Sequence, residues 1–320
     1  MKISVLCFDL SSNAFGRAWL LAKALSRVYD VEIIGTSRKG GIWAPMAHSK
    51  IPVKEFMWDR YPKFSRVKKN ILDAIDGDLI LASKLMPTSF GIGLQKKYSS
   101  GKPLIVDIDD WELGFFYHSG FWGGVGRFLN FSNPNGLPYV WRIERLVGEA
   151  DAVSVSNRFL QKKFKGALLP HCRDTSVLDP QKFNPDEMKE RIGLADKKVV
   201  MFLGTPRPHK GLDDLLAAFK KIGDLNVKLV IIGAENQQEF LKRVDHSIRE
   251  SVVVLPKTPF QKLPELLSAA DILAIPQRRT SDSVGQIPAR LFDAMSMAKP
   301  IIATRVSDIP EVLDNCGYLV

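Results

Sequence analysis

Short apolar runs alternate with longer stretches of helical periodicity along the whole chain. Lys2–Phe8 (KISVLCF), Asp78–Ala82 and Pro103–Ile108 read as buried strands of the first half, Asp30–Gly35 as a further strand, and Ala150–Val155 and Ala167–Pro170 as short strands. Lys198–Gly204, Val227–Gly233, Ser251–Leu255, Asp271–Ala274 and Ile301–Ala303 read the same way in the second half. Between strands the spacing turns helical: Leu20, Leu21, Ala24 and Leu25 share a face of Arg17–Arg27, and Leu212, Leu215, Leu216 and Phe219 share another. Strand, helix and strand in sequence, with runs apolar on both faces, predict parallel sheets of the α/β class. The polar stretch from His171 to Leu194, with Pro180 and Pro185, separates the halves. The expected domains are 1–175 and 176–320.

One stretch concentrates the signals. Ser281–Thr304 (SDSVGQIPARLFDAMSMAKPIIAT) reads as loop, helix, turn and strand, with Pro288 at the first helical position. Leu291, Ala294, Met295 and Ala298 form an apolar face, and Arg290, Asp293 and Met297 fall beside it. A loop feeding a helix N-terminus offers free backbone N–H groups to a phosphate, here those of Val284, Gly285, Gln286 and Ile287. Asp293, one turn further in, is placed to accept from a ribose. The alternative is an ordinary amphipathic helix with an Arg290–Asp293 pair on its solvated side.

Other features compete as sites. Thr205–Lys210 (TPRPHK) is a rigid basic loop between a strand and a helix, suited either to solvent or to an anion held by Arg207 and Lys210. Asp107, Asp109 and Asp110 end a strand, where α/β proteins bind ligands. A metal, a substrate hydroxyl or solvent are the three readings of those acids. Gly16 marks either a turn or a close backbone approach to a ligand. Four basic residues within Lys63–Lys69 suggest a solvated helix face. Eight aromatics and five glycines lie between Trp111 and Phe131. That segment either folds back on the first domain or forms a lip for a membrane interface or apolar acceptor.

Composition changes this picture little. Apolar content of 45% and charged content of 25% are ordinary for a globular protein. Three scattered cysteines disfavour a disulfide frame or zinc site and suggest a reducing compartment. With no apolar run of membrane-spanning length and no visible leader, a cytoplasmic location is expected. The net charge of +10 suits an anionic partner.

The order of motifs resembles the group 1 (family 4) glycosyltransferases of GT-B architecture. The likeness is carried by FLGTPRPHKGLDDLL (202–216), VIIGA (230–234), LPELLSAADILAIPQ (263–277) and IPARLFDAMSMAKPIIAT with the following SDIPEVLDNCGYLV. It implies two Rossmann-like domains facing across a cleft, the first for an acceptor and the second for a nucleotide-sugar donor. It implies retention of anomeric configuration with no metal and no cofactor. Lys210 falls on a lysine that holds the donor diphosphate, Asp293 on a glutamate that contacts the ribose, and Gly16 on a loop glycine near the diphosphate. The expected donor set is therefore Gly16, Arg207, Lys210, Gly285, Gln286, Ile287 and Asp293, with the acceptor hydroxyl near Asp109, Asp110 or His118. The sequence departs from the family pattern at Thr205, where its usual arginine would stand, and at Gly285, where a first glutamate would stand. Asp282 or Ser283 are the candidates to replace that glutamate. Family members continue past the point matching Val320, so the second domain is expected to be incomplete. The acceptor is expected to be a glycan or lipid-linked sugar, with peripheral contact to an anionic membrane and no nucleic acid. A non-catalytic nucleotide-sugar-binding protein is the alternative.

Overall fold

The computed structural model describes residues 1–47, 50–116, 126, 128–281 and 283–320. The chain divides into two compact units, Met1–Pro170 and His171–Val320, so the division falls after Pro170 rather than after residue 175. The polar stretch from His171 onward thus belongs to the second unit.

In the first unit, strands β1 (Lys2–Cys7), β2 (Asp30–Ser37), β3 (Val53–Met57), β4 (Leu79–Ser83), β5 (Leu104–Ile108), β6 (Ala152–Val155) and β7 (Ala167–Leu168) form one sheet in the order β3-β2-β1-β4-β5-β6-β7. Every pairing is parallel. Strand β3 was not expected. It is an edge strand of mixed polarity, half-buried or exposed throughout, and so lacks the apolar run that marks its neighbours. Helix α1 (Ala14–Leu25) starts three residues before the expected Arg17. Helix α2 (Phe64–Ala74) buries Phe64 and Ile71, while Lys63, Arg66 and Lys69 of the basic run are exposed. Helices α3 (Ile92–Ser100), α4 (Leu137–Glu144) and α5 (Arg158–Phe164) complete the described helices of this unit. Apolar side chains cover both sheet faces, in two clusters centred on Phe64, Phe90 and Ile80 and on Phe15, Val5 and Ile33. That double burial is why these strands read as continuous apolar runs.

In the second unit, after α6 (Pro185–Arg191), strands β8 (Lys198–Leu203), β9 (Val227–Ile232), β10 (Val252–Leu255), β11 (Ile272–Ile275), β12 (Ile301–Ala303) and β13 (Tyr318–Leu319) form a second parallel sheet. Its order is β10-β9-β8-β11-β12-β13. Helices α7 (Leu212–Phe219), α8 (Gln237–Arg243), α9 (Leu263–Ser268), α10 (Ala289–Ser296) and α11 (Ile309–Leu313) connect the strands. The core lies on both faces, around Met201, Leu273 and Leu291 on one and Phe202, Phe219 and Ile231 on the other.

In each sheet the strand order reverses beside the first strand, between β1 and β4 and between β8 and β11. Connections leaving two such strands run to opposite faces, so their carboxyl ends open a crevice where α/β proteins hold ligands.

Candidate functional site

At the carboxyl end of β8, Gly204 has φ +120°, which lets the chain turn out of the sheet without a side chain in the way. Pro206 and Pro208 then prevent either a strand or a regular helix. The short turn Pro208–Lys210 ends at Gly211, in the left-handed region at φ +67°. A β-carbon on Gly211 would meet the Pro276 carbonyl oxygen at 1.7 Å, so only glycine allows the loops after β8 and β11 to touch. The Arg278 amide donates to the His209 carbonyl at 2.8 Å, and the Arg278 side chain grips Asp214 at 2.5 and 2.6 Å. Sequence reading missed this stitching of the two loops.

Lys210 is the cation this arrangement turns inward. Its Nζ lies 3.0 Å from where a β-carbon on Gly204 would sit, and Nη1 of Arg290 lies 3.9 Å from the same point. Among the described residues neither cation forms an ion pair. Burial, then the positive charges of Arg290 and Arg207, lower the Lys210 ammonium to about 7. Arg207 itself is exposed.

Arg290 is the residue that sequence reading misplaced. One of the two sequence readings put it on a solvated stripe with Asp293, yet it is only 6% exposed. Its Nη1 donates to the Leu203 carbonyl at 3.0 Å, and its guanidinium lies over the Phe202 ring at 4.7 Å. Nε and Nη2 are buried and make no hydrogen bond among the described residues. Burial lowers this guanidinium to about 10. Gln277, 2% exposed at the end of β11, has an Nε2 in the same condition.

Asp293 is 5% exposed and pairs with Arg173 rather than with Arg290. Arg173 also donates to the Ala289 carbonyl at 3.0 Å, so it clamps the first turn of α10. Burial pushes the Asp293 carboxyl up, and Arg173 offsets part of that rise. The face of α10 differs from the expected one for the same reason. Met295 is 41% exposed and Ala298 is exposed, whereas Arg290, Leu291, Asp293, Ala294 and Met297 are buried. Loops cover the flank of the helix that a two-sided pattern assigns to water.

The loop before α10 also departs from expectation. The Val284 amide donates to the Thr280 carbonyl at 3.1 Å and the Gln286 amide to the Ser283 carbonyl at 3.3 Å. These two are engaged within the loop rather than offered to a ligand. Gly285 is buried, Gln286 half-buried, and Ile287 packs into the core with Leu291. Pro288 is the N-cap rather than the first helical residue, so the helix begins one position later than expected, at Ala289. Asp282 lies outside the described residues.

The first unit has its own polar group at the corresponding sheet edge. Lys84 follows β4 with φ +69°, a conformation that costs about 1 kcal/mol in a non-glycine residue. Its amide donates to the Asp107 carbonyl at 2.8 Å, and its ammonium reaches Asp109 at 2.8 Å, Asp110, and Glu112 at 3.3 Å. Burial raises the Asp110 carboxyl, and raises Glu112 to about 7. The acids of the DIDD stretch therefore divide between two cations. Asp107 is fully buried and accepts Nε and Nη2 of Arg17, each at 2.8 Å, and the Ser154 hydroxyl at 2.7 Å. Among the described residues, no three His, Cys, Asp or Glu side chains converge as a metal site would require.

Gly16 lies inside α1 rather than in a loop, and a β-carbon there would approach the Trp43 ring at 3.4 Å. The aromatic segment is partly folded back. Trp111 and Phe116 pack near Met86, Leu113 and Val140, and the Trp111 indole donates to Glu144 at 3.1 Å. Phe128 and Phe131 are exposed. His118, Phe121 and Trp122 lie outside the described residues. Among the described residues no helix is long and apolar enough to cross a membrane.

Residues 197–320 match the family model described as glycosyl transferases group 1. A GDP-mannose-dependent alpha-(1-6)-phosphatidylinositol monomannoside mannosyltransferase of Mycolicibacterium smegmatis is 29% identical over 188 residues, covering 54% of this chain and 49% of the relative. A D-inositol 3-phosphate glycosyltransferase of Segniliparus rotundus is 27% identical, covering 52% of this chain and 41% of the relative. The chain thus spans about half the length of the curated relatives it matches. Among solved structures, HepE of Anabaena in complex with UDP and glucose aligns with a TM-score of 0.74 at 16% identity, covering 100% of this chain and 85% of that one. WaaG, a glycosyltransferase involved in lipopolysaccharide biosynthesis, aligns with a TM-score of 0.71 at 14% identity, covering 100% and 86%. The fold is the GT-B type, two Rossmann-like parallel-sheet domains.

Proposed function

We propose that this chain is a retaining, metal-independent glycosyltransferase that moves a hexose from a nucleotide-sugar to a glycan or lipid-linked acceptor. The observation that carries the reading is Lys210. It is a half-buried ammonium without an ion-pair partner among the described residues, at the reversal point of the sheet in the group 1 unit. An unpaired cation drawn out of water is costly unless an anion arrives to meet it. A donor diphosphate is such an anion, and its leaving charge grows during transfer, so Lys210 stabilises departure more than binding. Support comes from the HepE complex with UDP and glucose and from relatives that use GDP-mannose.

In this reading Asp293 accepts from the ribose while Arg173 holds its carboxylate in place. The acceptor lies near Asp109 and Asp110, whose orientation Lys84 sets. A lipid-linked acceptor is supported by the phosphatidylinositol substrates in the names of the mannosyltransferase relatives, and it brings the chain to an anionic membrane.

A thermal-shift screen against UDP-, GDP- and ADP-sugars, followed by transfer assays with the best donor, tests the proposal. One donor class should raise the melting temperature by mass action. The absence of any shift with all three classes refutes it. A shift with no transfer to any acceptor would instead favour a non-catalytic nucleotide-sugar-binding protein.

A further inference from the structure

We infer that Arg290, and not Arg207, is the arginine that grips the diphosphate beside Lys210, through the edge of its guanidinium formed by Nε and Nη2. The inference rests on the nucleotide-sugar reading for the identity of the anion, but the geometry stands apart from it.

A guanidinium has one side-on fork, made by Nε–H and the Nη2 hydrogens, whose spacing matches two oxygens of a carboxylate or phosphate. Three other arginines of the described residues fill that fork, and half-buried Arg249 leaves only its Nε without an acceptor, its Nη2 donating to the Val244 carbonyl. Arg17 offers it to both oxygens of Asp107, each at 2.8 Å, and Arg278 offers it to both oxygens of Asp214. Arg173 divides it between Asp293 and the Ala289 carbonyl. Arg290 is as buried as Arg17, at 6% against 4% exposed, yet its Nε and Nη2 have no acceptor among the described residues.

The side chain is held, not adrift. Its third nitrogen is tied to the Leu203 carbonyl at 3.0 Å, and its flat face lies over the Phe202 ring at 4.7 Å. Those two contacts fix the guanidinium beside Gly204, where a missing side chain leaves only backbone between it and Lys210. A buried guanidinium and a half-buried ammonium converge there, and an oxyanion that binds both relieves the repulsion between them. A buried donor without an acceptor is costly, more so when charged, and two on one charged group call for an acceptor from outside the fold. An anion with oxygens on two centres meets the requirement: one end on the Arg290 fork, the other on the Lys210 point charge. Arg207 is exposed and has water for its donors already.

Calorimetric titration of the full chain with UDP, GDP, the matching monophosphates and inorganic pyrophosphate tests this. Arg290→Met should weaken nucleoside diphosphate binding by roughly a hundredfold and monophosphate binding far less, while Arg207→Ala loses at least tenfold less than Arg290→Met. Arg290→Lys keeps the charge and the Phe202 contact but removes the fork, and should still lose at least about tenfold, which covers the case in which the methionine variant fails to fold. Diphosphate affinity of Arg290→Met or Arg290→Lys within threefold of wild type would overturn the inference, as would a larger loss from Arg207→Ala. Pyrophosphate binding lost with Arg290, but no binding of any nucleotide, would leave this anion grip standing and refute the nucleotide-sugar reading. Binding of neither pyrophosphate nor any nucleotide would overturn both.

Discussion

In its proposed role, Lys210 makes donor binding a protonation event. In the ligand-free chain its ammonium is lowered to about 7 by burial and by the charges of Arg290 and Arg207. At pH 8 about one-tenth of it is then protonated. A bound diphosphate brings negative charge to within a few ångströms and returns the group well above its free value. Binding at pH 8 therefore takes up about 0.9 proton, against about 0.1 at pH 6. Affinity falls about tenfold from pH 6 to pH 8, equal to about 1.4 kcal/mol. The sign follows from the complex holding more protons than the free protein, so raising pH disfavours the complex. An intact nucleotide-sugar is the proper probe, because both its phosphates are esterified and do not titrate in this window. Calorimetry at pH 8 in two buffers of different ionisation enthalpy reads the proton number directly. Lys210→Met should abolish it along with most of the affinity. Tight binding with the same heat in both buffers would refute the reasoning, since Lys210 would then be charged before the donor arrives or remote from it.

Other outcomes follow from the same structure. Lys210→Met should also stabilise the ligand-free chain, by roughly 1–3 kcal/mol at pH 6, because it removes a desolvated charge; a lower midpoint in urea would contradict that. Glu112 is held at about 7, above the usual carboxylate range, so the folded state keeps a proton that the unfolded chain loses. Stability should therefore decline as pH rises from about 4.5 to 7, and Glu112→Gln should flatten that slope in urea titrations. Asp107→Asn leaves the buried Arg17 without its carboxylate and should cost about 3–5 kcal/mol, and a cost below 1 kcal/mol would show that the pair is not structural. Leu291→Ala opens a cavity in the core under α10 and should cost about 2–5 kcal/mol, read from the unfolding of the second unit.

The class of the fold was legible because the sheets are parallel and covered on both faces, so their strands advertise themselves as unbroken apolar runs. The half-polar edge strand β3 escaped for the converse reason. The basic loop was legible too, since two prolines and Gly211 between a strand and a helix leave little freedom. Motif likeness went further than periodicity and pointed to Lys210 and Asp293.

What sequence could not decide was which polar groups lose their water. Arg290 and Asp293 sit three residues apart, and a one-dimensional pattern pairs them on a wet face. The folded chain buries both and sends them in different directions, one to Leu203 and the Gly204 turn, the other to Arg173, distant by 120 residues in the chain. The amides of Val284 and Gln286 looked available and are consumed by their own loop. Periodicity reports local geometry, which each segment carries in its own residues. Desolvation depends on what packs over a side chain from elsewhere in the chain, and in this protein that leaves the Arg290 fork without an acceptor among the described residues.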